Sequence, residues 1–380
     1  MREKYFYILK RIYLGFRKHS LHALAALFAR ENLPHLRPGQ DMKKILFIRI
    51  DRIGDIALST PALKAIKQAF PHSDLTVLAS PSNSPIIFNN PNIDHIVVYD
   101  HRGRLIDRIR VILKLRESGF DLAIDPYADY ELETALIAFS SGAKRRIGYA
   151  SYGREVFFNL SAPEIRSNGH FIDLTLDVLK PLDIVMKDKT PEIYLTGDEK
   201  KWAMDWLNKN GLGSNPVIGI HPGAYYETQR WLPERFAELV ELLQNDKKLN
   251  PVIFGGPDDE HLVNRICSIL HGEVTTYIAH DLRKLAALMS CCDIFVCNNS
   301  GPLHMAVALG TPTISFMGPT IKERWIPLGD IHTILRIDDL SCIGCSLGHC
   351  KIKTHDCMRL ITAAMVMEAV ENLIRRNIAG

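Results

Sequence analysis

The feature that most narrows the fold is an alternation. From Lys43 onward, short β-type runs take turns with helix-type stretches. "KILFIRI" reads as a strand buried on both faces and "ALSTPALKAIKQAF" as a helix. "DLTVLAS", "HIVVYD" and "DLAIDPY" are further strands, "RLIDRIRVILKLRESG" is a helix between the last two, and "RRIGYA" closes the series. Continuous apolar strands separated by helical segments imply βαβ units, because parallel strands need a crossover and helices must cover both faces of their sheet. Across residues 186–216 the pattern weakens to one strand, a helix capped by Asp198 and a Gly/Asn/Pro loop. It restarts with "PVIGIHPG", "LPERFAELVELLQ", "PVIFGG", "DIFVCNN" and "PTISFMGPT", the last strong strand. A chain of 380 residues is too long for one ordinary core, so the reading is α/β, with two doubly wound domains in tandem. "LITAAMVMEAVENLIRR" ends the pattern as an amphipathic helix.

Composition excludes some functions. The chain is 47% hydrophobic and 23% charged, with a formal net charge of only +3, so it carries no global signature of nucleic-acid binding. The charge is uneven: residues 1–30 hold seven Lys or Arg and a single acid, Glu3. In "YFYILKRIYLGFRKHSLHALAALFAR" the bases interrupt every apolar run, which rules out a bilayer span, and no small-residue cleavage site follows an apolar block. Two readings of this extension, residues 1–42, stay open: a basic amphipathic helix lying on an anionic membrane surface, or a helix packed on the main body with a solvated basic side. Eight cysteines without a secretory signal place the chain in a reducing cytoplasm. Cys267, Cys291, Cys292 and Cys297 sit in apolar patterns and are expected in the core.

Three strand-end stretches carry the chemistry. In "FIRIDRIGDIALSTPALKAI" a strand gives way to a helix across Asp51, Gly54 and Asp55. In doubly wound sheets, ligands bind beyond the carboxyl ends of the strands, which is where this turn falls. Gly54 is expected to permit a tight turn and a close backbone approach. One carboxylate suffices as a helix cap; the second is available as a general base. The turn has too few glycines for a dinucleotide fingerprint and is no Walker loop. In "CNNSGPLHMAVALGTPTISFMGPT" a strand ends at Asn298 and Asn299, and Ser300 and Gly301 open a helix with Pro302 in its first turn. The free N–H groups of that turn suit a phosphate. His304, one turn in, is either packed in the core or facing the same end. In "HPGAYYETQRW" Gly223 allows backbone to approach a ligand, and Arg230 either forks onto a phosphate or stacks on Trp231. An anion site on the second domain and a carboxylate on the first fit group transfer from a diphosphate-activated donor to a hydroxyl.

"RIDRIGDIALSTPAL", "HPGAYYETQRWLPERFAELVELL" and "NNSGPLHMAVALGTPTISFMGPT", in this order, resemble glycosyltransferase family 9, which includes the bacterial ADP-heptose:lipopolysaccharide heptosyltransferases. The resemblance covers about residues 43–378. It implies the GT-B fold: two Rossmann-like domains facing a central cleft, an acceptor domain at 43–190, a nucleotide-sugar donor domain at 191–358, and a C-terminal helix at 359–380 packing back on the first. It implies Asp55 as the catalytic base of an inverting, metal-independent transfer of heptose or a related sugar to a lipopolysaccharide core or similar lipid-linked glycan. It further implies Ser300–Gly301 as the diphosphate binder, Asn299 near the donor sugar, and an enzyme at the cytoplasmic face of the inner membrane. The chain departs from the family in three places. Gln229 stands where Lys is frequent, with Arg230 next to it; Asn299 stands where Asp is frequent; and the N-terminal extension lies outside the resemblance. A nucleotide-sugar epimerase on the same scaffold and a non-catalytic nucleotide-sugar-binding protein are the alternatives.

Two features lie outside that assignment. Cys342, Cys345, Cys350 and Cys357, with His349 and His355 interleaved, are spaced so that structural zinc, a disulfide or free thiols all remain open. No catalytic role is expected of them, and no cofactor is expected for catalysis. "RGRLIDRIRVILKLR" and "AKRRIG" concentrate bases in the first domain, either to attract a phosphorylated glycolipid or as a solvated helix face.

Overall fold

A computed structural model describes residues 13–21, 23, 42–162, 165, 169–246 and 248–379. The chain divides into two compact units. One comprises residues 1–84 and 90–189; the other comprises 85–89 and 190–380.

The first unit is built on six parallel strands: β1 (Lys44–Arg49), β2 (Asp74–Ala79), β3 (His95–Val98), β4 (Leu122–Asp125), β5 (Arg145–Gly148) and β6 (Leu160–Ser161), in the order β3-β2-β1-β4-β5-β6. Its helices are α1 (13–21), α2 (Ile53–Ala57), α3 (Thr60–Ala69), α4 (Leu105–Ser118), α5 (Glu133–Ser140) and α6 (Phe171–Asp177). Leu46 and Ile48 of β1 are fully buried and pack in one cluster with Ala123 of β4, Ala135 and Ala138 of α5, and Phe157 and Phe158. Ile45 and Phe47, which point to the opposite face of the strand, are fully buried too, so β1 needs apolar side chains on both faces. Of the N-terminal extension only α1 and residue 23 are described before Met42. Arg17 donates to the carbonyl of Tyr152 at 2.9 and 3.2 Å, and Leu21 joins the core cluster, so α1 packs on the body while Tyr13 and Phe16 stay exposed. Most of residues 1–42, for which a membrane-surface helix and a helix packed on the body were both open, lies outside the described residues.

The second unit repeats the plan. Strands β7 (Val217–His221), β8 (Asn250–Gly255), β9 (Thr275–Ile278), β10 (Ile294–Asn298), β11 (Thr313–Phe316) and β12 (His332–Leu335) run parallel in the order β12-β11-β10-β7-β8-β9. The helices are α7 (Gly197–Lys209), α8 (Pro233–Asn245), α9 (Glu260–Ile269), α10 (Leu282–Ser290), α11 (Gly301–Ala308), α12 (Lys322–Trp325), α13 (Asp356–Arg359) and α14 (Ala363–Ala379). In both sheets the chain starts in the middle, winds one way for three strands and then switches sides. The switch point lies between β1 and β4 in one unit and between β7 and β10 in the other. Loops diverge there and leave a crevice at the carboxyl edge.

Several local expectations are corrected. Helix α7 is capped by Thr196, not Asp198. The Thr196 hydroxyl accepts from the Glu199 N–H and the Glu199 carboxylate accepts from the Thr196 N–H, a reciprocal capping box, with Asp198 in the first turn. Strands β6 and β12 extend each sheet beyond the segments read as last. Helix α14 buries Val366, Val370 and Leu373 in one cluster with Ile218, Trp231 and Phe236 of the second unit. The Trp231 indole N–H donates to the Ile361 carbonyl at 2.9 Å, fixing the chain just before α14. Cys292 and Cys297 are buried as expected; Cys267 and Cys291 are only partly so.

Candidate functional site

The carboxyl end of β1 concentrates charge. Arg49, the last residue of β1, is 2% exposed, an unusual place for a guanidinium. Its Nη1 donates to Asp51 Oδ2 at 3.0 Å and its Nη2 to Thr175 Oγ1 at 3.2 Å. Its cation lies 5.5 Å from the Tyr127 ring and 5.2 Å from the Phe171 ring, so the loop after β4 and the start of α6 both contribute to its cage. The loop after β2 fixes this turn from the other side. Asn83 Nδ2 donates to the carbonyls of Arg49 and Asp51, both at 3.1 Å. The backbone is held, and the two carboxyls point where it directs them.

Asp55 lies in the first turn of α2, a helix of only 5 residues, and is half-buried. Burial, and then the adjacent Asp51 charge, push its carboxyl up to about 8; Arg49 and Arg52 pull the other way. Asp51 also hydrogen-bonds to it, so the two form a carboxyl pair. The phenol of Tyr127 is likewise held well above its usual range by burial and by Asp51. No side-chain cap hydrogen bond is made at the start of α2, so capping does not account for Asp55. Gly54 differs from expectation. It is buried inside α2 and is absent from the left-handed glycines, so it serves packing, not a tight turn.

In the second unit, the loops after β7 and β10 meet at one residue the sequence reading passed over. Asn298 is fully buried; its Oδ1 accepts from the Trp231 N–H at 2.8 Å and its Nδ2 donates to the carbonyls of Pro222 and Gly223. Gly223 is required by protein as much as by ligand, because a Cβ there would meet the Asp259 carboxylate at 2.2 Å. His221 Nδ1 accepts from the Gly223 N–H at 3.2 Å, which leaves the proton on Nε2, 3.5 Å from Asp259 Oδ2. Burial lowers the His221 pKa, so the ring is neutral. Arg230 closes the same loop through Nε to the Ala224 carbonyl at 2.9 Å, and its Nη groups have no hydrogen bond among the described residues. Gln229 reaches Thr320 Oγ1 at 3.5 Å.

Ser300 is the N-cap of α11 without a side-chain cap bond, and Gly301 is its first residue. Pro302 has no N–H and the Leu303 N–H donates to the Ser300 carbonyl at 3.0 Å, which leaves the Gly301 N–H without a hydrogen bond among the described residues. Asn299 is 6% exposed, and its amide Nδ2 has no partner among the described residues. His304 is 5% exposed with its ring centroid 5.7 Å from that of Trp325, which favours the packed reading.

The cysteine-rich segment braces these loops. Thr228 Oγ1 donates to the Leu347 carbonyl at 2.7 Å, and His355 Nε2 meets the Thr228 carbonyl at 2.8 Å. The N–H groups of Gly344 and Ser346 donate to the carbonyls of Gly318 and Pro319. All eight cysteines are thiols, so the disulfide alternative is not realised. Cys342, Cys345 and Cys350 lie near enough to Cys357 to raise its thiol, after burial, to about 11. Among the described residues, no three His, Cys, Asp or Glu side chains are arranged to hold a metal ion.

Two Rossmann-like units, each a doubly wound parallel sheet with its own switch point, are the architecture of the GT-B glycosyltransferases. The family model for glycosyltransferase family 9 (heptosyltransferase) matches residues 108–355. The chain belongs to this family and is a glycosyltransferase. It is 26% identical to lipooligosaccharide heptosyltransferase 2 of Haemophilus influenzae over 87% of this chain and 99% of that protein. To lipopolysaccharide heptosyltransferase 3 of Escherichia coli K12 it is 27% identical, over 72% and 82%. The crystal structure of a family 9 glycosyl transferase from Veillonella parvula superposes with a TM-score of 0.78 at 25% identity, covering 91% of this chain and all of that one.

Proposed function

We propose that the protein transfers heptose, or a closely related sugar, from an ADP-sugar to a lipopolysaccharide-type acceptor with inversion at the anomeric carbon. The observation that carries the reading is Asp55: a half-buried carboxyl at the switch point of the first sheet, unused as a cap, with its pKa pushed up to about 8. In the ionised form it takes the proton of the acceptor hydroxyl as that oxygen attacks the anomeric carbon. The bond from that carbon to the leaving diphosphate breaks, and the charge passes to the nucleoside diphosphate. A base with such a pKa is matched to an alcohol near neutral pH better than an ordinary aspartate.

In this reading the second unit holds the donor. The N–H groups of Ser300 and Gly301, assisted by the Arg230 guanidinium, receive the diphosphate. The buried amide of Asn299 donates to a sugar hydroxyl; as a donor as well as an acceptor it would recognise a different hydroxyl pattern from the Asp frequent in relatives. Gln229 lies beside Arg230 and orients the loop. Reaction at the cytoplasmic face of the inner membrane fits a lipid-linked acceptor, and the cysteine segment acts only as scaffold.

Asp55→Asn tests the proposal. Turnover should fall by roughly 10²–10⁴, while donor-induced thermal stabilisation persists. A variant that keeps native turnover removes the base from Asp55. Product analysis without acceptor separates transfer from epimerisation, which would convert the donor alone; a pure binder would be stabilised by donor with no turnover.

A further inference from the structure

Helix α4 turns an apolar stripe outward. Leu105, Ile106, Ile109 and Leu113 are 67%, 50%, 41% and 52% exposed. At about 100° per residue these four positions share one face of the helix. An adjoining side carries the attachment to the protein: Leu115 is its single fully buried residue, and Arg108 is tied to Tyr99 and Glu133. An ordinary surface helix is polar where this one is greasy, and no fold requirement places branched aliphatics there.

The stripe is framed by bases. Arg102, Arg104, Arg110, Lys114 and Arg116 are exposed along and just before the helix, against Asp107 and Glu117. Asp107 ties down Arg104 at 2.9 Å and Arg110 at 3.0 Å; Arg102, Lys114 and Arg116 have no ion pair among the described residues. Exposed aliphatics with surrounding bases are complementary to two things at once: the acyl boundary of a bilayer and its anionic headgroups. A protein partner would need an acidic rim around an apolar groove. A second copy of this chain would bring like charge against like charge, which disfavours self-association.

From the juxtaposition of this outward aliphatic stripe with its basic frame, we infer that α4 is a docking surface for an anionic lipid bilayer. The helix is about 21 Å long and lies parallel to the membrane, with Leu105, Ile109 and Leu113 entering the headgroup–acyl boundary. This surface is distinct from the N-terminal extension and does not depend on the identity of the transferred sugar.

The test is co-sedimentation of the full chain with vesicles of phosphatidylcholine alone or of phosphatidylcholine with phosphatidylglycerol. Native protein should bind the anionic vesicles and release at high salt. I109S/L113S, at exposed positions that leave the core intact, should lower the partition coefficient at least about tenfold, given the burial value of an aliphatic side chain. R110Q/R116Q should lower it on anionic vesicles by roughly fivefold per base and leave zwitterionic vesicles unaffected. Thermal melts of the variants should match native. The inference is overturned if native protein ignores anionic vesicles, or if both variants bind them as native does through the remaining chain. It is equally overturned if native protein is a dimer in solution that I109S/L113S converts to monomer.

Discussion

Replacing Asp51 by Asn should move the acid limb of the pH–activity profile toward lower pH. The substitution keeps the size of the side chain and an oxygen to accept from Arg49 Nη1, now 3.0 Å from Oδ2. What it removes is the negative charge that, after burial, does most to hold the Asp55 carboxyl at about 8. Losing a like charge favours the ionised form, and Arg49 then acts on Asp55 undivided; both changes lower its pKa. The other charged or titratable groups around the pair, Arg52, Tyr127, Asp129 and Glu131, are unchanged. With a pKa of about 8, roughly 1% of Asp55 is ionised at pH 6; a downward shift of about one unit raises that to roughly 10%. Relative to its own plateau, kcat/KM at pH 6 should therefore rise about tenfold. The alkaline plateau itself should fall, because a less basic carboxylate accepts the acceptor's proton less readily. Nucleoside diphosphate release, measured from about pH 5.5 to 9.5, reads both effects. An acid limb that stays in place, or moves to higher pH, refutes the coupling of the two carboxyls. If Asp55→Asn is silent as well, the base assignment falls with it.

Three further outcomes follow from hydrogen-bonded polar groups. Arg154 is fully buried and bonded to Asp125 Oδ2 at 2.5 Å, with Thr134 and the carbonyls of Tyr127 and Asp129 as its other acceptors. Arg154→Met strands the Asp125 charge and should cost about 3–5 kcal/mol in chemical denaturation. Asn298→Asp keeps the acceptor for Trp231 but sets a carboxylate against the Pro222 and Gly223 carbonyls; donor affinity should drop at least about tenfold, with a loss of about 1–3 kcal/mol in stability. Thr196→Ala breaks the cap of α7 and should cost about 1 kcal/mol in a thermal melt without altering kcat.

The interior strands were legible because both faces of β1, β7 and β10 are covered, so their sequences are unbroken apolar runs. The edge strands were not. β12, "HTIL", is partly exposed throughout and β6 is two residues long, so neither leaves a pattern to read. At the site, the turns that hold Asp55 and Ser300–Gly301 were singled out by topology, which fixes the end of a parallel strand that faces ligand, while the resemblance alone chose Asp55 as base and placed Asn299 near the sugar. The cage of Arg49, Tyr127 and Phe171 was missed because it joins residues remote in sequence. An arginine inside the buried run "FIRI" was the available signal: a charge in such a strand needs a partner close by. Asn298 was read as the end of a strand; its role emerges only when the loops it holds are seen side by side. The apolar face of α14 was legible as an amphipathic helix, and its buried residues belong to the core of the second unit.

The packing of Ile361–Leu373 into the second unit has a consequence for biogenesis. The cluster around Trp231 is assembled from segments separated by some of the longest stretches of chain in that unit, and it stays unsealed until its last contributor has been synthesised. The residues of the first unit all precede Thr190, so it can begin to fold while the ribosome is still translating the remainder. A nascent chain arrested after α11 should thus expose a folded, protease-resistant amino half and a carboxy half that chaperones still hold.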